Sequence, residues 1–249
     1  MNIESQHDLI SLRRIGRIVA NTIKTMQLAT KPGMTTREID EVGRAMLEKT
    51  GARSAPQLAY NFPGATCISI NEEVAHGIPG DKVVKPGDLV NIDVSAELDG
   101  YYADSGASFI VPPTTPKKLR ICHSTRMALQ AAIDAVRAGQ PLNIIGKSIE
   151  RVAKQKGYKI IRNLTSHGVG RQLHEDPSSI TGYYDPRDKR RLEEGMVITI
   201  EPFLSSKANM AAKAGDGWTL LAPRGNLSAQ FEHTMVINRG KPELITVAE

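Results

Sequence analysis

Aromatic residues are scarce in this chain: Phe, Trp and Tyr make up 4% of 249 residues, with a single Trp. That argues against a protein built around stacked aromatic platforms for nucleic acid. Cysteine is scarcer still. Two cysteines in a chain of this length form neither a disulfide framework nor a cysteine-rich zinc module. No run approaches the roughly 20 apolar residues that cross a bilayer as a helix. The opening MNIESQHDLISLRRIGRIV also lacks the basic segment and apolar core of a secretory signal, so the expected location is the cytoplasm. Neither sign of charge dominates. Thirty-two Lys and Arg against 27 Asp and Glu leave +5 with His neutral, too small an excess to specify a partner.

What is present suits a folded chain with a sizeable core: 40% hydrophobic and 24% charged residues do not describe a disordered regulator. Leu9, Leu12, Ile15, Val19, Ile23 and Met26 recur at helical spacing after a possible cap at Ser5 with Asp8. Pro32-Gly33 ends that passage. Thr35-x-x-Glu38 resembles a capping box and opens a second helix to about Lys49. Segments around 65–70, 89–95 and 102–110 read as antiparallel strands, punctuated by Pro-Gly and Asp-Gly. The plan then recurs. A helix is predicted from Thr115-Pro116 through Val136, and another from about Leu142 to Lys156, ending at Gly157. Gly33, Ile39 and Gly51 align with Gly139, Ile145 and Gly157 at an offset of 106, and GDLVNID (87–93) aligns with GMVITIE (195–201) at 108. Residues 112–118 form the best junction but are too short to isolate two domains. The expectation is one α+β domain over residues 1–249, made of pseudo-symmetric halves at about 1–111 and 112–249, with antiparallel sheets backed by helices.

Both aligned strands finish on an acid, Asp93 and Glu201. Asp93 and Asp104 belong to a strand, turn and returning strand. A four-residue loop at Glu97–Gly100 would make them cross-strand partners, their Cβ atoms about 5 Å apart. A turn centred on Asp99-Gly100 shifts that register. Facing carboxylates repel unless something compensates, and a divalent cation would; the plainer alternative is two acids on a solvated hairpin face. Glu201 follows the apolar run MVITI, where an unpaired carboxylate is costly if buried and unremarkable at the strand's solvent end. Strand alternation sends Glu232 and His233 to opposite faces, which selects Glu232 if its face meets Glu201. His167 and His174 lie in SHGVGRQLHEDP, where Gly168 and Gly170 permit close backbone approach. His76 sits beside Gly77 in a loop that can aim an imidazole at substrate. His7, His123 and His233 read as surface or helper residues. Carboxylates with an imidazole suit Mn(II), Fe(II), Co(II) or Zn(II), and two such ions about 3.5–4 Å apart perform hydrolytic chemistry. A phosphate loop and a nucleophile elbow are both absent. Cys67, in the apolar TCISI run, reads as a core thiol rather than a nucleophile. DPRDKRR (185–191) reads as a solvated loop rather than a nucleic-acid contact.

In order, NFPGATCISINEEVAHGIPG (61–80), LVNIDVSAELDGYYADSG (89–106), SHGVGRQLHEDP (166–177), GMVITIEPF (195–203) and LSAQFEHTMVI (227–237) resemble the type I methionine aminopeptidases, and the similarity spans nearly the whole chain. The resemblance implies the pseudo-two-fold pita-bread fold and removal of the initiator methionine by hydrolysis of the first peptide bond. It implies two divalent ions, of Co(II), Mn(II), Fe(II) or Zn(II), held by Asp93, Asp104, His167, Glu201 and Glu232. Glu201 becomes the proton shuttle, while His76 and His174 contact substrate and stabilise developing charge. Phe62, Cys67 and Trp218 match the methionine pocket, with Tyr60 nearby. Three positions depart from the common pattern: Ala59 and Leu173 stand where aromatics are frequent, and Ser166 replaces a usual Gly. The expected partners are peptides or nascent proteins with N-terminal Met, with transient ribosome association; no membrane or specific nucleic acid is expected, and the chain should be a monomer. The alternatives are a proline-specific aminopeptidase or dipeptidase of this fold, or a catalytically silent ribosome or RNA adaptor.

Overall fold

In the computed structural model, which describes residues 1–248, the predicted caps start the predicted helices. The Ser5 hydroxyl accepts the Asp8 amide at 3.1 Å while Asp8 Oδ2 accepts the Ser5 amide at 2.9 Å. This reciprocal pair satisfies two amides that a helix start leaves open and begins α1 (Gln6–Ala29). Thr35 and Glu38 do the same for α2 (Thr36–Thr50). A short helix unforeseen in the sequence follows, α3 (Ala55–Tyr60), capped by Ser54 and closed by Asn61 in the left-handed region at φ 55°. In the second half, α4 (Pro116–Ala135) and α5 (Ile144–Lys156) occupy the predicted spans.

The repeat is structural. Ile39 and Ile145 are both fully buried, and α2 and α5 end on Gly51 and Gly157 at φ 76° and 73°. Strand Leu89–Leu98 carries Asp93, and strand Val197–Ile200 ends immediately before Glu201. In the first half α1 and α2 pack on a sheet in which Leu89–Leu98 pairs with Cys67–Ile70 and Tyr101–Ile110. In the second, α4 and α5 pack on a core that includes Ile198, Ile200 and Met235, from strands Val197–Ile200 and His233–Val236, which pair antiparallel. Each half thus has its own hydrophobic cluster, and antiparallel sheets backed by helices are the architecture expected. Among the described residues, no helix is long and apolar enough to cross a membrane.

The halves meet edge to edge. Glu232 N donates to Gly106 O at 2.9 Å, Ser105 Oγ donates to Glu232 O at 2.6 Å, and Thr234 Oγ1 donates to Asp104 O at 2.7 Å. This seam brings Asp104 of one half against Glu232 of the other. The hairpin register decides between the two turns. Leu98 pairs with Tyr101, so the turn is Asp99-Gly100, both at positive φ, the two-residue form that suits strand twist. Asp104 therefore faces Ser95, and Asp93 faces Gly106. The two acids share one face diagonally rather than standing opposite. A small sheet pairs Ala75 with Leu220, carrying His76 and Trp218 to the same end of the molecule.

Candidate metal centre and substrate cavity

His167 supplies the imidazole of the proposed ligand set. It lies on strand Thr165–Gly168, is 3% exposed, and its amide donates to Thr199 Oγ1 at 3.2 Å. Its Nδ1 is 2.9 Å from Gly168 O. A carbonyl can only accept, so Nδ1 carries the proton and Nε2 presents a lone pair. That lone pair faces Asp104 Oδ2 and Glu201 Oε1, each 3.7 Å away. These separations are too long for hydrogen bonds and leave room for an ion shared by all three. The Gly168 backbone has to be this close: a Cβ there would sit 2.3 Å from Asp176 O.

The carboxylates are held by their neighbours. Ser166 Oγ accepts the Glu201 amide at 2.9 Å, so the hydroxymethyl that replaces the usual Gly fixes the backbone of a proposed ligand. Gln230 Nε2 donates to Glu232 Oε2 at 3.0 Å and reaches Asp93 Oδ2 at 3.5 Å, while Asn91 Nδ2 donates to Gln230 Oε1 at 2.8 Å. Gln230 is a member sequence reading missed, although it sits two residues before Glu232, on the same strand face. Asp104 Oδ1 and Glu232 Oε1 are buried with no hydrogen-bond partner among the described residues. Ligand atoms of Asp104, His167 and Glu232 all lie within 4.8 Å of one another.

Electrostatics gives the same reading. Burial, then Glu232 and Asp93, push the Asp104 carboxyl well above its usual range. Glu232 is raised by burial, then by Glu201 and Asp93; Glu201 is raised by burial, then by Asp93 and Asp104. Asp93 is pushed up to about 7 by burial, against a hydrogen bond with Asp104 that lowers it. His167 is pulled down to about 3, chiefly by burial and then by His174. Four crowded carboxyls resist ionising together, and the neutral imidazole is ready to ligate. A bound divalent cation relieves the repulsion and satisfies the orphan oxygens. The donor set of oxygens and one imidazole nitrogen fits Mn, Fe, Co or Zn.

This centre lies in a cavity of about 310 Å³. All ten singled-out residues line it: the five proposed ligands, His76, His174, Phe62, Cys67 and Trp218. Phe62 and Trp218 meet edge to face, centroids 5.2 Å apart. Cys67 is half-buried in the wall rather than sealed in the core, and burial followed by Asp93 pushes its thiol well above normal, which keeps it protonated and poorly nucleophilic. His76 takes a left-handed φ of 56° at the rim. The His174 ring lies 4.0 Å from that of His167, and its Nδ1 is 2.7 Å from Tyr60 Oη. Pro56, Tyr60, Ser95 and Leu173 complete the wall. Away from it, Arg187 pairs with Asp185 and Arg190 with Asp188, so the basic loop neutralises much of its own charge.

An acid-rich, single-imidazole centre at the seam of two helix-backed sheets, in a cavity that also carries Phe62, Cys67 and Trp218, describes a metal-dependent hydrolase. The chain belongs to metallopeptidase family M24, which it matches over residues 11–239. It is 44% identical to methionine aminopeptidase 2 of Bacillus subtilis over 99% of both chains. It superposes on the methionine aminopeptidases of Rickettsia prowazekii and Thermotoga maritima with a TM-score of 0.94 in each case, at 36% and 32% identity. Each comparison covers at least 99% of both chains.

Proposed function

We infer that this chain is a methionine aminopeptidase, removing N-terminal Met from peptides or nascent proteins by hydrolysis. The observation that carries the reading is the joining of a buried acid–imidazole centre to one apolar cavity of about 310 Å³. A space of that size suits a single amino-acid side chain beside the proposed metal ligands. The relatives that match this chain over 99% of both lengths favour methionine over a proline-specific substrate.

Asp93, Asp104, His167, Glu201 and Glu232 would hold two divalent ions. Such ions supply a water nucleophile at neutral pH and polarise the carbonyl. The chain's own residues do the rest. Phe62, Cys67 and Trp218 take the methionine side chain, their apolar and polarizable surfaces suiting a thioether. Glu201 accepts a proton from the attacking water and returns it to the leaving amine. His174 donates to the oxygen on which charge develops, and His76 holds the scissile amide. Asp93, the cross-strand partner of Cys67 in the pocket wall, lies beside the substrate's free amine.

The shared seam supports treating residues 1–249 as a single catalytic domain. Transient ribosome contact by a monomer fits a nascent-chain substrate. Salt-dependent co-sedimentation with ribosomes checks it, and absence of any association at low salt counts against it. The activity is tested by supplying Met-Gly-Met-Met, with Ala- and Pro-initiated controls, to chelator-stripped protein and restoring single metals. Selective Met release is expected with Mn, Fe or Co. Folded, metal-binding protein that releases no Met would refute the reading.

A further inference from the structure

Two imidazoles lie side by side in the cavity, and their Nδ1 partners differ in kind. His167 Nδ1 faces a carbonyl, Gly168 O at 2.9 Å, which can only accept. His174 Nδ1 faces a phenol, Tyr60 Oη at 2.7 Å, which can donate. No protein group among the described residues bonds His174 Nε2. Yet the rings are 4.0 Å apart, close enough for both to compete for the same ion. What separates a ligand from a donor at such a distance is which nitrogen carries the proton.

We propose that Tyr60 is a positioning residue whose hydroxyl donates a hydrogen bond to His174 Nδ1 and so locks His174 as the Nε2–H tautomer. His167 then shows a lone pair to the centre and His174 shows an N–H, which cannot ligate but can donate to the substrate carbonyl oxygen. Delivery of Tyr60 depends on α3. Pro56 and Tyr60 are four residues apart on one helical face and both line the cavity. The Ser54 cap and the left-handed Asn61 fix where the helix begins and ends. The Tyr60 and His174 ring centroids are 5.6 Å apart with planes tilted by 52°, an arrangement that directs the hydroxyl to the edge of the imidazole rather than stacking the rings.

The role assigned to Tyr60 rests on the methionine aminopeptidase reading, and the test separates the two. Histidine-nitrogen NMR shifts of the zinc-loaded chain, with His174 assigned by its loss in His174→Ala, should report an unprotonated Nδ1 and a protonated Nε2. Tyr60→Phe keeps the ring and removes the donor; it should shift His174 toward a tautomer mixture. In metal-loaded enzyme it should lower kcat about 10-fold, with KM changed less than about 2-fold, the loss of one hydrogen bond expressed in the transition state. In a His174→Ala background, Tyr60→Phe should have no further effect, because Tyr60 acts through that imidazole. A protonated Nδ1 in the unaltered chain overturns the proposal. So does a Tyr60→Phe loss that persists undiminished in the His174→Ala background. If the unaltered enzyme releases no Met at all, the activity is what fails, and the nitrogen shifts still decide the tautomer.

Discussion

A buried carboxylate oxygen with no hydrogen-bond partner is costly, and Asp104 Oδ1 and Glu232 Oε1 are both of this kind. Their position beside the neutral, lone-pair-presenting His167 gives that cost a purpose. His167→Ala should remove one ligand and reduce Met release at least 100-fold, with a matching loss of Mn(II) binding by titration calorimetry. Turnover at the wild-type level would reject the ligand assignment. Gln230 offers a subtler test. A Cβ on Gly106 would lie 2.2 Å from Gln230 Oε1, so Gly106→Ala must push the amide that donates to Glu232. Metal affinity should fall about 10-fold, the usual cost of disturbing a ligand's support, while the fold is retained. Unchanged affinity would mean that Gln230 does not orient Glu232.

At the scale of the element, one acid does two jobs. Asp8 Oδ2 accepts the Ser5 amide at the start of α1, while Oδ1 accepts from the Tyr101 hydroxyl and from Arg171, each at 2.7 Å. Arg171 belongs to the loop between His167 and His174, so the cap of α1 also anchors that loop. The Tyr101 hydroxyl is the largest influence holding Asp8 down at about 2, against the opposing effect of burial, with the Glu4 and Ser5 amides adding to it. The folded value lies below the ordinary 3.8, so the unfolded chain binds more protons in between. Stability from Asp8 is therefore fully present above about pH 4 and lost as pH falls toward 2. Urea denaturation should find Asp8→Asn less stable than wild type at pH 5, with the gap closing through that window. A gap constant from pH 5 to pH 2.5 would exclude Asp8 from the acid response.

For the whole molecule, the proposed metal would act as a cross-link. Asp93 and Asp104 come from the first half, and His167, Glu201 and Glu232 from the second. An ion bound by both halves stabilises the folded chain by mass action, about 2.7 kcal/mol at 100 times its dissociation constant. For a chain of this size that is a rise of about 5–10 °C in Tm. Chelator-treated protein should melt lower, recover as Mn(II) or Co(II) is added, and reach saturation with two ions per chain. His167→Ala should respond weakly or not at all. Equal Tm with and without metal would show that the ligands do not bridge the halves.

Much of this was legible in the order of residues. Helix caps at Ser5, Thr35 and Thr115 and the apolar spacing of α1 are local, since each cap acts within one turn and each apolar face within one helix. The repeat offset was legible because both halves reuse the same buried Ile and the same helix-ending Gly. What the sequence left open is of another kind. The turn at Asp99-Gly100, and with it the diagonal placement of Asp93 and Asp104, depended on a choice between two local registers. Helix α3 is too short to show a period. The meeting of Glu201 with Glu232, the support from Gln230 and the reach of Tyr60 to His174 join groups 31, 2 and 114 residues apart. By itself the sequence determined the four long helices, the alternating faces and the stock of acids and imidazoles, because those follow from short-range sterics and hydrophobic period. Only the tertiary structure decided which lone pair faces which proton, because that requires the two halves to close on each other.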